Sequence, residues 1–288
     1  ATDSEVDITD YDLQLTNDSG LSPRWIVNCS AYTSVDGAED NREQAFAVNA
    51  AGVLNIARIA AGHGARLIHV STDYVFDGEK QGEYREDDAT VPIGEYGRSK
   101  LEGERHIAAT MNEFFIIRTA WLYGSTGNNF VRTMLRLFME RAEVRVVNDQ
   151  WGSPTYTGDL AEVILKIVDD DSEKYGLYHY TNEGRTNWYE FARQTYSAGR
   201  HYGLVKNDVH IIPIATAEYP TRARRPKNSY VSKDKIRRNL GVKARPWEEA
   251  LDDCIKMIAG SSASLIELPE NRLHARHIQN PAIDPEKE

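Results

Sequence analysis

Cysteine is scarce in this sequence. Its 288 residues include two, Cys29 and Cys254, which lie far apart and each within an apolar stretch. A disulfide framework needs a denser set of cysteines, so we expect a reducing, cytoplasmic location. No apolar run approaches the roughly 20 residues of a membrane span. No basic segment followed by an apolar one opens the sequence, so we expect neither a signal peptide nor a membrane partner.

Positive charge is also in deficit. The 34 Lys and Arg residues face 44 Asp and Glu residues, which gives a formal net charge of −10. A nucleic-acid partner requires a basic surface, so this composition argues against one. An acidic protein can still bind an anionic nucleotide where a few Arg, Lys and backbone N–H groups converge.

The histidines show no metal-ligand spacing, and we predict no metal site. The acidic run Glu86-Asp87-Asp88 is more typical of a solvated loop than of a metal site. A requirement for Mg²⁺ stays open at this point.

Short apolar runs alternate with helical spacing over the first 120 residues. Trp25–Cys29, Arg66–Ser71 and Phe114–Thr119 are predicted strands, and Glu43–Gly62 and Ser99–Thr110 are predicted helices. Strands that alternate with helices, without hairpin signals, predict an α/β fold with a Rossmann-like, doubly wound parallel sheet. In such a sheet, ligands bind at the carboxyl ends of the strands.

The regular alternation of strands and helices changes after Thr119, and this change predicts a second domain. We expect residues 1–120, with about 155–182, to form the NAD(P)-binding Rossmann-like domain. Residues 121–154 and 183–259 would form a smaller, interleaved C-terminal substrate-binding domain, and residues 260–288 a polar tail. Further helices are predicted over 129–141, 160–168, 188–196 and 247–258, and further strands over 144–147, 176–180 and 209–214.

The strongest chemical signal is Tyr96 followed four residues later by Lys100. Positions four apart lie on one face of a helix, so the two side chains can be neighbours. We expect the ammonium to lower the pKa of the phenol and bring it closer to the range useful for proton transfer at neutral pH. Thr72, at the end of the preceding strand, could hydrogen-bond the same substrate oxygen. A Tyr–Lys pair at this spacing is common by chance, so the surrounding motifs must decide.

Those surrounding motifs resemble one family. The chain reads STDYVFDG from Ser71 and YGRSKLEGE from Tyr96. Other segments match in the same order: NCSAYTSVD from Asn28, VNA from Val48, RTAWLYG from Arg118, GNNF from Gly127, NDQWGSPT from Asn148 and RPKNS from Arg225. Together, over about residues 6–258, they resemble the dTDP-4-dehydrorhamnose reductases, a branch of the extended short-chain dehydrogenase/reductases.

The resemblance implies an enzyme that uses NADPH or NADH. It would reduce the C4 ketone of dTDP-4-dehydro-L-rhamnose to dTDP-L-rhamnose, in dTDP-rhamnose biosynthesis. Tyr96 would donate a proton to the C4 oxygen, Lys100 would hold the nicotinamide ribose, and Thr72 would complete the catalytic set. The partner would be this nucleotide sugar, and the chain a monomer or homodimer.

The resemblance also implies binding residues, several of which have a purely structural alternative. Trp121 could simply fill a domain interface, Asn49 could hold a loop, and Asn129 could cap a helix rather than meet a diphosphate. Arg225 could pair with a phosphate or be a solvated arginine. The implied cofactor positions are Asp7, Ile8, Ala31, Tyr32, Asn49, Ser71, Tyr96 and Lys100, and the implied substrate positions are Thr72, Asp73, Tyr74, Trp121, Asn129 and Arg225.

One family feature is missing from the sequence. The family begins with a strand, a G-x-x-G-x-x-G turn and a helix whose N-terminus holds the cofactor pyrophosphate. Gly62-His63-Gly64 is no substitute, because it follows a predicted helix and precedes a predicted strand. We expect that the sequence omits the start of a longer chain, rather than that the protein has lost cofactor binding. Without that start the chain could lack activity even where the longer protein is an enzyme.

Two other functions stay open. The beta subunit of methionine adenosyltransferase, a non-catalytic regulatory protein, shares much of this pattern, including the YVFDG string. Nucleotide-sugar epimerases and dehydratases share the scaffold, but the dehydratases tend to carry a glutamate where this chain has Tyr74. The combination of Thr72, Tyr96, Lys100 and Trp121 favours the reductase.

Overall fold

The computed structural model describes residues 7–10 and 23–261. Its centre is a four-stranded sheet in which every described pair of neighbouring strands is parallel. The strands stand in the order β1, β2, β3, β8, with the bounds Trp25–Asn28, Arg66–Thr72, Phe114–Thr119 and Gly176–His179.

Helices cover both faces of this sheet. On one face, Leu67 of β2 packs with α3 (Val53–His63) and α4 (Glu95–Thr110). On the other face, the adjacent Ile68 packs with α6 (Thr157–Asp169). Successive side chains of a strand point to opposite faces, so covering both faces requires nearly continuous apolar strands. The predicted α/β fold with a parallel, Rossmann-like sheet is confirmed.

A long helical segment precedes β2. After the short helix α1 (Val35–Asp40), α2 (Arg42–Phe46) continues through a π-helical stretch (Ala47–Gly52) into α3. The whole segment, Arg42–His63, is long and apolar enough to cross a membrane by length and composition alone. The expectation that no stretch approaches that length is therefore wrong. Half of the segment's apolar window is buried inside the protein, as in the core helix of a folded domain.

A second core forms around α5 (Phe130–Glu140), α7 (Trp188–His201) and α9 (Trp247–Gly260). These helices pack with β5 (Glu143–Val147), which pairs in parallel with β10 (His210–Ile214). Several short elements connect the longer ones: β4 (Leu122–Tyr123) beside β7 (Thr155–Tyr156), β6 (Trp151–Gly152) beside β9 (Thr186–Asn187), and single 3₁₀ turns at Asp73–Val75 and Thr216–Glu218.

The division into two domains stays a prediction. Helix α8 (Asp234–Leu240) packs on the main sheet through Ile236, although the predicted division assigns residues 183–259 to the smaller domain. The predicted tail, 260–288, lies outside the described residues beyond Ser261.

Candidate active site

The predicted catalytic residues meet at the carboxyl end of β2. Thr72 is the last residue of β2, and Tyr96 and Lys100 lie in the first turns of α4, which begins at Glu95. The helix lies directly on neighbouring backbone, because a methyl group at Gly97 would overlap the carbonyl oxygen of Tyr74. The glycine within the YGRSK motif therefore brings Tyr96 next to the strand that carries Thr72.

The Tyr96 phenol has two close neighbours. The Thr72 hydroxyl lies close enough to favour the ionised form of the phenol, and the Tyr96 ring stands edge-on to Tyr74, with ring centroids 5.5 Å apart. Burial raises the pKa of Tyr96 well above its usual value, and the neighbouring Thr72 hydroxyl offsets only part of that rise. The predicted lowering of this pKa by Lys100 is therefore wrong for this structure.

Lys100 explains the difference, because its nitrogen is turned toward β2. Its Nζ donates to the carbonyl oxygen of Val70 at 2.8 Å and lies 3.3 Å from Nε2 of His69. Only 2% of the residue is exposed. Burial lowers the pKa of Lys100 to about 8, while Glu104 and Cys29 act in the opposite direction.

A buried ion pair lies one turn further along α4. Arg118 of β3 donates through Nη2 to Oε2 of Glu104 at 2.6 Å and through Nε to Oε1 at 2.9 Å. The Ser71 hydroxyl donates to the same carboxylate at 2.5 Å. The Ser71 hydroxyl is thus committed to this pair, although the sequence predicts Ser71 at the cofactor. We call Ser71, Lys100, Glu104 and Arg118 the polar junction.

Sequence reasoning gave Glu104 and Arg118 no role. Both stand inside the quoted motifs, but a sequence pattern does not show that two charges on different elements meet. The available signal was a charged residue, Arg118, at the end of an otherwise apolar strand. Such a residue needs a buried partner.

The loop after β1 is joined to α4 through Asn49. Its Oδ1 accepts from the backbone N–H of Tyr32 at 2.8 Å, and its Nδ2 donates to the Tyr32 carbonyl at 3.0 Å and to the Ser99 hydroxyl at 3.0 Å. These bonds are those of the loop-holding alternative. The same bonds fix the stretch that contains Ala31 and Tyr32, the predicted cofactor wall.

Asp7 and Ile8, the predicted adenine pair, lie in different surroundings. Asp7 is exposed and accepts from the Thr9 backbone N–H and hydroxyl at 2.9 and 2.7 Å. Ile8 is 7% exposed and packs with Val53 and Ile56 of α3. Core packing alone accounts for Ile8, and the adenine contact stays a prediction.

Asp73 and Arg225 are both buried near Tyr74. Burial raises the pKa of Asp73 to about 6, and its Oδ2 has no hydrogen-bond partner. Arg225 donates through Nη2 to Oδ2 of Asp36 at 2.5 Å, while its Nε and Nη1 have no hydrogen-bond partner, and its positive charge lies near Tyr74. Because its side chain is 1% exposed, the alternative of a solvated arginine is wrong for Arg225.

Trp121 lies in an aromatic cluster with Phe130, Trp188 and Phe191. Its ring stacks on Trp188, with centroids 3.7 Å apart, and its φ is +49°. A non-glycine residue in this conformation is uncommon and is concentrated at functional sites. Trp121 is partly exposed, so interface packing and a ligand contact are compatible.

Asn129 caps α5. Its Oδ1 accepts from the Arg132 backbone N–H at 3.2 Å, and its Nδ2 donates to the carbonyls of Gly124 and Thr126 at 2.9 and 3.1 Å. This is the helix-cap alternative. Both amide N–H groups are used, so a diphosphate contact here would come from the backbone.

The acidic run Glu86-Asp87-Asp88 is engaged by protein groups. Asp88 accepts from Lys80, and Glu86 accepts from the His179 backbone N–H at 3.1 Å. Over residues 7–10 and 23–261, no group of three or more His, Cys, Asp or Glu side chains is arranged to hold a metal ion.

The donors around Tyr96 fit a ribose. The Tyr96 phenol and the Lys100 amine lie at the carboxyl end of the sheet, where Cys29, just after β1, is exposed. Lys100 uses one N–H on Val70, which leaves it hydrogen-bonding capacity for a vicinal diol.

Comparison with known proteins extends the match over the chain. The family model described as the RmlD substrate binding domain matches residues 1–259. A dTDP-4-dehydrorhamnose reductase of Aggregatibacter actinomycetemcomitans is 43% identical over 252 residues, covering 86% of each chain. The reductase of the same description from Escherichia coli K12 is 39% identical over 256 residues, covering 85% of each chain.

Solved structures agree with these relatives. A dTDP-4-dehydrorhamnose reductase of Bacillus anthracis in complex with NADP is 39% identical, with a TM-score of 0.80 and 88% of each chain covered. One from Clostridium acetobutylicum is 38% identical, with a TM-score of 0.80, and covers 89% of this chain and 88% of its own.

Proposed function

This chain belongs to the RmlD substrate binding domain family, and we propose that it is an NAD(P)H-dependent dTDP-4-dehydrorhamnose reductase. The reaction is reduction of the C4 ketone of dTDP-4-dehydro-L-rhamnose to dTDP-L-rhamnose. The proposal is supported by relatives of that description across 85–86% of the chain. A solved relative in complex with NADP supports the cofactor class.

The observation that carries the proposal is the contact between Thr72 and Tyr96. A hydroxyl and a phenol that lie next to each other can both turn to one carbonyl oxygen. Two donors aimed at a developing oxyanion stabilise the transition state of ketone reduction. Lys100 lies one helical turn beyond Tyr96.

In this mechanism Tyr96 is the proton donor. A general acid must hold its proton until the reaction takes it, and burial, which raises the pKa of Tyr96, keeps the phenol protonated at neutral pH. When bound, NAD(P)H would supply the hydride that the C4 carbon receives. Thr72 orients the C4 oxygen, and Lys100 holds the nicotinamide ribose. Ala31 and Tyr32 form the cofactor wall, which Asn49 fixes in place.

The proposed substrate-binding groups are Asp73, Tyr74, Trp121 of the aromatic cluster, and the start of α5. Asp73 has an unpartnered carboxylate oxygen, which is suited to accept from a sugar hydroxyl. Tyr74, near the charge of Arg225, lies against Tyr96, and Trp121 offers a partly exposed ring. The start of α5 at Asn129 offers backbone N–H groups to the diphosphate.

We also propose the cellular setting. The enzyme would act in the cytoplasm, as a monomer or homodimer, without a membrane or nucleic-acid partner. Either NADPH or NADH would serve, and a Mg²⁺ requirement is tested by adding EDTA to the assay.

The test is NADPH oxidation by this chain given enzymatically prepared dTDP-4-dehydro-L-rhamnose, with NADH assayed in parallel. We expect stoichiometric formation of dTDP-L-rhamnose, identified by NMR. An NADPH-independent change of the sugar would instead indicate an epimerase or dehydratase. A folded protein that neither oxidises NADPH nor changes the sugar, also after a family N-terminal strand and glycine-rich turn are added, would contradict the proposal and leave the regulatory-subunit alternative.

A further inference from the structure

Lys100 ends a buried polar chain that crosses β2 to the end of β1. Its Nζ lies 3.3 Å from Nε2 of His69, and Nδ1 of His69 lies 3.1 Å from Nδ2 of Asn28. The exposed fractions of Lys100, His69 and Asn28 are 2%, 0% and 4%. The proposed mechanism gives His69 and Asn28 no part.

The direction of each hydrogen bond follows from Asn28. Its Oδ1 accepts from the backbone N–H of Ser30 at 3.0 Å, so its NH₂ group faces His69. An amide NH₂ only donates, so Nδ1 of His69 must accept. A neutral imidazole has one acceptor and one donor nitrogen. The proton of His69 is therefore on Nε2, which faces Lys100.

This arrangement suits an amine better than an ammonium at Lys100. An amine can accept from the Nε2–H of His69 and still donate to the Val70 carbonyl, which lies 2.8 Å away. An ammonium has only donors, so one of its N–H groups would face the N–H of His69 with no acceptor between them. We infer that His69, oriented by Asn28, is a positioning residue that favours the unprotonated form of Lys100.

The other influences on the protonation of Lys100 oppose one another. Glu104, on the same helix, and Cys29, after β1, favour the ammonium, and burial opposes it, leaving the pKa of Lys100 at about 8. Burial, followed by the charge of Lys100, holds the pKa of His69 well below its usual value. His69 is therefore neutral at pH 7, as the hydrogen-bond argument requires.

The consequence is a lysine that exchanges its proton near neutral pH. Through its link to the catalytic function of Lys100, the inference rests on the proposed reductase activity. The hydrogen-bond pattern itself can be tested without any turnover.

The first test reads the His69 tautomer by long-range ¹H–¹⁵N NMR on the full chain. We expect the pattern of an Nε2–H imidazole at pH 7. Asn28→Asp is the isosteric variant, since a carboxylate only accepts and should move the proton to Nδ1. An Nδ1–H imidazole in the unsubstituted protein would overturn the inference.

The second test measures the pKa of Lys100 from its ¹³Cε shift, assigned with Lys100→Arg. His69→Leu removes the facing N–H, so we expect the pKa to rise by about one unit. His106→Leu, a partly exposed histidine on the same helix, is the control and should leave it unchanged. An unchanged or lower value in His69→Leu would contradict the inference.

A corresponding shift in the pH profile of kcat in His69→Leu would show that the protonation state of Lys100 affects catalysis. If the NMR results hold but the protein reduces no ketone, the proposed function fails and the inference about His69 stands.

Discussion

The polar junction and the aromatic cluster are held together by different forces. The junction joins β2, α4 and β3 through charge and directed hydrogen bonds, because Glu104 accepts hydrogen bonds from both Arg118 and Ser71. The aromatic cluster is held by ring contacts, such as the stack of Trp121 on Trp188. Directed bonds fix atoms to a narrow geometry, whereas stacked rings mainly contribute apolar area.

This difference matches the two tasks that the proposed function requires. Proton transfer depends on placement of the donor within a fraction of an ångström, which a hydrogen-bonded frame provides. Binding a sugar ring tolerates more freedom and gains from a flat apolar surface. We therefore expect damage to the junction to reduce stability or kcat, and damage at Trp121 to act mainly on KM.

The largest stability effect is expected from Glu104→Leu. The substitution leaves the buried Arg118 charge without its partner, which typically costs about 3–5 kcal/mol. Urea unfolding measures the loss. Glu102→Leu, on the same helix but with a partly exposed side chain paired with the exposed Arg105, should cost no more than about 0.5 kcal/mol. Equal losses in the two variants would break the contrast between junction and surface.

Trp121→Ala should raise KM for the nucleotide sugar about tenfold, equivalent to about 1.4 kcal/mol of lost binding. Affinity for NADPH should stay the same, because the proposed cofactor wall is formed by Ala31 and Tyr32 after β1, whereas Trp121 belongs to the aromatic cluster. Steady-state kinetics give both values. Trp25→Ala, at the amino end of β1, is the control. An unchanged KM in Trp121→Ala would leave Trp121 as interface packing only.

Asn129→Ala should have the smallest effect, a loss of about 1 kcal/mol in the free energy of unfolding. The loss comes from the cap at the start of α5, the helix that carries Phe130 into the aromatic cluster. Asn129→Asp retains a capping acceptor and should recover most of the stability. If both variants lose the same stability, the cap is not the cause.

Much of the fold could be predicted from the sequence, because the main strands are short apolar runs bounded by helical spacing. Phe114–Thr119 is a strand with the predicted bounds. Helix α4 begins at Glu95 rather than Ser99, since Tyr96-Gly97-Arg98 shows no apolar periodicity. Helix α8 has only seven residues, too few for a clear pattern.

The site was predictable in its residues more than in its contacts. Helical spacing placed Tyr96 and Lys100 on one face but could not show that Lys100 turns to Val70. That direction depends on how α4 lies against β2, which long-range packing decides. For the same reason, the contact between His69 and Lys100 was not predictable from the sequence.

The central claim is that Tyr96 donates the proton, and the kcat of Tyr96→Phe tests it most directly. Phenylalanine preserves the ring beside Tyr74 and removes only the hydroxyl. We predict a kcat lower by about 10²–10⁴-fold, with NADPH affinity and unfolding free energy retained. A kcat within about threefold of the unsubstituted protein would contradict the account.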